Sequence, residues 1–202
     1  MAEFIPGLAP WLAIVNLWLY PVKTALILCL LVYFWPHYEE LRGKAFAGNR
    51  EIFLAIVVGM VVYLMWVRMV WPWATQGESA GYNPFQAGAE KGIVLTGAHL
   101  LGSVMVVPVM EELFWRSFLI RYIISPRFET VHLGTFTLRS FVVTVALFGL
   151  EHHQWLAGMM AGIAYSVLLY RTGRLWPCIL AHAATNGALG IHVLVTEEWY
   201  WW

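Results

Sequence analysis

Three short stretches hold polar groups at spacings that could do acid–base chemistry: Glu111-Glu112 followed by Arg116, Phe148 followed by Glu151-His152-His153, and His182 followed by Asn186. Each lies in strongly apolar text ("VMEELFWRSFLIRY", "ALFGLEHHQW", "ILAHAATNGAL"). Glu112 and Arg116 are four apart with the acid first, the favourable order for an ion pair along one helix face. Glu111 is rotated about 100° from Glu112. It has no such partner, which leaves it as the acid that could serve as general base. His152 shares a face with Phe148, whereas His153 points elsewhere. Glu151 is a third acid, open to pairing with Arg116 or to lining a substrate path. His182 and Asn186 are again four apart. An imidazole and a carboxamide on one helix face aim two hydrogen-bond donors at one point, as an oxyanion requires. The same residue types also serve plain helix–helix contacts.

The elements that position these groups must be membrane helices. The chain of 202 residues is 60% hydrophobic and 12% charged, with a mean hydropathy of +0.67. A soluble domain is roughly half apolar and about a quarter charged. The expectation is an all-α polytopic membrane bundle forming a single domain over residues 1–202. A net charge of zero gives no electrostatic footprint for nucleic acid. Cys29 and Cys178 lie in separate apolar runs, match no zinc spacing and read as small buried hydrophobes. The start of the chain shows no basic region followed by a cleavage site, so no removable signal peptide is expected. The many tryptophans, and the closing "EEWYWW" above all, suit an interfacial aromatic belt.

Apolar runs at 22–36, 52–71, 92–124, 139–153, 155–170 and 175–196 predict about six transmembrane helices. Residues 1–20, interrupted by Pro6, Gly7 and Pro10, predict a further N-terminal interfacial helix. The longest loop falls at 72–92, and Pro108 predicts a kink. No ten-residue alternating segments suggest a β-barrel. Lysines and arginines gather at 42–50, 121–139 and 171–174. Placing those loops in the cytoplasm puts 72–92 and the C-terminal end outside. Glu111 is 10 residues before Arg121, His152 is 13 after Arg139, and His182 is 8 after Arg174. In helices those separations are roughly 15, 20 and 12 Å, which predicts a site in the cytoplasmic half of the bilayer. Ionisable groups at such depth cost a few kcal/mol each and mark functional sites.

Glu-Glu-x-x-x-Arg, Phe-x-x-x-His and His-x-x-x-Asn, in that order on membrane helices, resemble the CAAX prenyl endopeptidase and bacteriocin-processing (Abi, type II CAAX) family. Here they read Glu111-Glu112-Arg116, Phe148-His152 and His182-Asn186, within residues 105–190. The wider text looks most like the bacterial branch associated with exosortase systems. The resemblance implies an intramembrane glutamate protease of the bacterial inner membrane, with no cofactor. In it, Glu111 and His152 would hold and deprotonate a water, and His182 and Asn186 would stabilise the oxyanion. Glu112 and Arg116 would brace the helix, and Phe148, Glu151 and His153 would line the site. The implied substrate is a membrane-associated protein or peptide cut near its C-terminus, and the implied partners are membrane lipid and an exosortase-type sorting system.

Two other classes compete with this reading. Two glutamates and several histidines could ligate zinc in a metalloprotease, although HExxH is absent and Asn186 is a poor zinc ligand. A transporter or non-cleaving membrane chaperone could also use buried Glu and His, as proton relays do. Loss of cleavage in Glu111→Ala and His152→Ala, with retention in His153→Ala, would separate the classes.

Overall fold

The computed structural model describes residues 8–77 and 81–202, with side chains from Val15 onward. Six helices follow one another: α1 Leu8–Phe34, α2 Asn49–Trp66, α3 Ala89–Ile124, α4 Leu138–Leu150, α5 Trp155–Thr172 and α6 Leu175–Thr196. No strand is present among the described residues. Four spans are long and apolar enough to cross a membrane: Val15–His37, Asn49–Trp66, Ala89–Ile124 and Leu175–Thr196. Large apolar side chains cover the outside, among them Val22, Leu26, Phe53, Ile93, Met105 and Val195. That is the surface lipid requires of an α-helical membrane bundle.

The connections alternate between two ends. At one end Arg121 pairs with Glu40, Arg174 Nη1 meets Glu51 Oε1 at 3.0 Å, and the Trp176 indole donates to the Leu41 carbonyl at 3.1 Å. At the other, the Gln76 amide donates to the His153 carbonyl at 2.8 Å and the Tyr82 amide to the Trp199 carbonyl at 3.1 Å. The first end carries most of the arginines. The second has Arg68, which lies beyond α2 because that helix ends at Trp66.

The expected interfacial helix followed by a separate first span is corrected: residues 8–34 form one helix. Pro6 and Gly7 lie outside the described residues. Pro10 lies within this helix. Pro21 lies inside the helix and removes the donor that would have reached the Leu17 carbonyl. The Tyr82 hydroxyl donates to that carbonyl instead, at 2.8 Å. Cys178 is buried as expected, but Cys29 faces outward from α1.

Close helix approach organises the rest. A Cβ on Gly59 of α2 would lie 2.3 Å from the Ala181 carbonyl oxygen of α6. One on Gly149 of α4 would lie 2.7 Å from the Trp155 carbonyl oxygen of α5. Small residues let backbones meet where apolar burial supplies no driving force.

Candidate active site

α3 carries the first motif and is not a regular helix. Residues Gly102–Val106 and Leu113–Leu119 are wound as π-helix, on either side of Val107–Glu112. Wide turns of this kind recur at functional sites. Pro108, where a kink is expected, lies between them. In the first, the Val107 N–H reaches back five residues to the Gly102 carbonyl. The next donor in that register would be Pro108, which has none. The Ser103 carbonyl is thereby left for Asn186, whose Nδ2 donates to it at 2.8 Å. A sequence irregularity in α3 thus fixes a motif side chain on α6.

Glu112 and Arg116 form the expected ion pair, Oε1 to Nη1 at 3.2 Å, with both side chains fully buried. The arginine carbon lies 4.2 Å from the Phe148 ring centre and 5.3 Å from that of Tyr165. Such cation–π contact compensates a guanidinium that has left water. The same Glu112 oxygen also accepts from His182 Nδ1 at 2.9 Å. The Tyr165 ring stacks on His182 at 5.2 Å, and its hydroxyl donates to Thr185 at 2.7 Å. His182 is therefore oriented by a carboxylate on one nitrogen and by an aromatic face, with Nε2 left for other work.

His152 lies in the turn after α4. Its Nδ1 meets the Phe148 carbonyl at 2.6 Å. A carbonyl only accepts, so Nδ1 carries the proton and Nε2 of the neutral ring is an acceptor. Glu111 presents Oε2 with no hydrogen-bond partner, although the atom is buried. A buried carboxylate oxygen left open is costly unless something visits it. Glu111, Phe148, His152, His182 and Asn186 all line one cavity of about 420 Å³.

The other candidates are elsewhere. His153 is exposed, and its Nδ1 donates to the Gln76 carbonyl at 2.5 Å. Glu151 is exposed in the turn, and Arg116 is taken by Glu112. The expected depth in the half beside the arginine-rich loops does not hold for His152. α4 ends at Leu150, so His152 lies at the arginine-poor end, packed 5.2 Å from Trp66 at the close of α2. The cavity opens toward that end, where Tyr82, His99, Trp201 and Trp202 join its wall. Sequence reasoning missed Tyr165 and His99. A lone aromatic and a lone histidine in apolar helices carry no spacing signal. Among the described residues, no group of three or more His, Cys, Asp or Glu side chains is placed to hold a metal ion.

Acid, imidazole and amide groups enclosed by apolar helices define a multi-helix membrane protein with a buried polar centre. Residues 94–188, which contain every motif residue, match the family described as type II CAAX prenyl endopeptidase Rce1-like. No curated protein and no solved structure was found to match the chain.

Proposed function

We propose that the protein is an intramembrane endopeptidase in which Glu111 is the general base. The observation that carries this reading is the shared cavity: the open Glu111 carboxylate faces the same space as His152, His182 and Asn186. A water held between Glu111 and His152 Nε2 gives up a proton to Glu111 and attacks the peptide carbonyl. His182 Nε2–H and the second Asn186 amide hydrogen meet the oxyanion. Glu111 then returns the proton to the leaving amine. For His182 to donate through Nε2 while Nδ1–H points at Glu112, the ring is an imidazolium. Two carboxylates, Arg116 and that imidazolium then balance within the site, which a low-dielectric interior requires.

The substrate we propose is a membrane-associated protein or peptide cleaved near its C-terminus, supplied by a sorting system of the exosortase type. We place the protein in a cell membrane with the arginine-rich end in the cytoplasm, so that the cavity mouth faces the other side. Purified protein in detergent, mixed with a library of tailed peptides, tests the chemistry. Glu111→Gln and His152→Ala should each lower kcat by about 10²–10⁴, and Asn186→Ala by about 10²–10³. His153→Ala should cleave as wild type. Full cleavage by Glu111→Gln would remove Glu111 as the base. Activity that survives a strong chelator separates this reading from a zinc mechanism.

A further inference from the structure

The mouth of the cavity holds a stack of rings that the proposed chemistry does not use. His99 of α3 is buried between Tyr20 of α1, with ring centres 4.0 Å apart at 18°, and Trp202, at 4.3 Å and 17°. Tyr82 closes the group, 4.8 Å from His99 at 28°. His99 Nδ1 is buried with no hydrogen-bond partner, so the ring is held by its faces alone. Three of these rings belong to structure fixed early in the chain. Tyr20 packs where Gly102 lets α1 approach α3, and Tyr82 is tied to Leu17.

The fourth ring arrives differently. α6 ends at Glu197, whose φ of 59° is left-handed, an unusual conformation for a residue with a Cβ. That turn sends the chain back across the mouth. There the Trp199 carbonyl accepts from the Tyr82 amide, and Glu198 Oε2 lies 3.4 Å from His192 Nε2 and accepts from the Trp201 indole at 3.0 Å. These contacts hold an indole against three aromatic faces in a space continuous with Glu111. Planar stacking at such distances favours flat aromatic groups over aliphatic ones of similar size.

We propose that Tyr20, Tyr82 and His99 form a subsite for an aromatic side chain of the substrate, and that Trp202 fills it in the resting protein. The inference rests on the endopeptidase reading and names a feature of its substrate. His99 precedes Glu111 by 12 residues, about 18 Å along a helix. An extended peptide covers that in about five residues. The recognised aromatic residue is therefore about five positions from the cleaved bond.

Two measurements test this. In the first, peptides carrying Trp, Leu or Ala at each position near the cleaved bond are compared by kcat/KM, with cleavage sites read by mass spectrometry. Trp about five residues away should exceed Ala by about tenfold, mostly through KM. Trp202→Ala should lower KM for the Trp peptide, because the occupant no longer competes, and Tyr82→Leu should erase the preference. In the second, catalysis is not needed: N-acetyl-tryptophanamide should raise the melting temperature of Trp202→Ala but not of Trp202→Ala/Tyr82→Leu, and N-acetyl-alaninamide should raise neither. If no peptide is cut while the indole amide still stabilises Trp202→Ala, the endopeptidase reading fails and the subsite stands. Cleavage without aromatic preference, together with no stabilisation by the indole amide, overturns the subsite.

Discussion

One oxygen of Glu112 serves both Arg116 and His182; each of the two acids also keeps a buried oxygen without a partner, but Glu111 lines the cavity and Glu112 does not. The two acids therefore differ in kind. Glu112 holds Arg116 and orients the His182 ring; Glu111 is the acid that the proposed chemistry uses. Replacing Glu112 with Ala strands a fully buried guanidinium, and removing one partner of such a pair costs about 3–5 kcal/mol. Glu112→Ala should accordingly unfold at much lower denaturant in detergent than wild type, whereas Glu111→Gln should keep its stability and lose cleavage. The i,i+4 spacing made the Glu112–Arg116 contact legible in the sequence. The His182 contact was not, because its partner is 70 residues away and no local periodicity reports it. Asn186 shows the same limit. The spacing placed it beside His182, but its bond to Ser103 depends on a π turn and a proline in another helix.

At the scale of elements, irregularities in one helix are answered by another. Pro21 frees a carbonyl in α1 and Tyr82 satisfies it from a loop. The sequence alone suggested a broken N-terminal region because that compensation comes from far along the chain. Tyr82→Phe keeps the ring but abandons the carbonyl, and should lower stability by about 1 kcal/mol, readable as a shift in melting temperature. Contacts between α2 and α6 depend on Gly59, where an added side chain meets backbone rather than a flexible tip. Gly59→Val should cost about 3 kcal/mol through overpacking and separate the helix that carries His182 from its neighbour. Circular dichroism melts of the two variants would rank Gly59→Val as the more damaging. The helix count and most helix limits were readable, because long apolar runs bounded by polar text have few other solutions in lipid. The limits of α4 differ from the expected 139–153, and the place of His152 with them, because no proline marks the end of the helix before the polar "EHHQ" turn.

Across the whole molecule, the two ends are built from different chemistry. One is ionic: Glu40 accepts from the Ser117 hydroxyl at 2.6 Å and pairs with Arg121, joining the first loop to α3. Burial alone would raise the Glu40 pKa, but the Ser117 hydroxyl, its own backbone amide and Arg121 outweigh burial and hold the carboxyl below its ordinary range. A lowered folded-state pKa means the contribution is complete above the ordinary carboxylate range and is lost as pH falls through and below it. Wild type should therefore lose stability between about pH 5 and pH 3 more steeply than Glu40→Gln, as followed by thermal melts across that range. The other end is aromatic and holds the cavity mouth. Charge distribution in the sequence distinguished the ends; the folding back of "EEWYWW" over the site was invisible, since a terminal aromatic run reads equally well as an interfacial belt.

The shortness of α4 has a consequence for the lipid around it. Its 13 residues span about 20 Å, against a hydrocarbon thickness of about 30 Å. Even the 18-residue α2 and α5 reach only about 27 Å. Thinning is one way a bilayer meets so short a flank, and it would lower the headgroup region toward the turn that holds His152. The proposed hydrolysis needs water at the Glu111 cavity, and the mismatch would bring the aqueous boundary toward it. In vesicles of phosphatidylcholines that differ only in acyl length, cleavage should be fastest in the shorter chains and fall as the bilayer thickens, while activity in detergent micelles stays indifferent to that series.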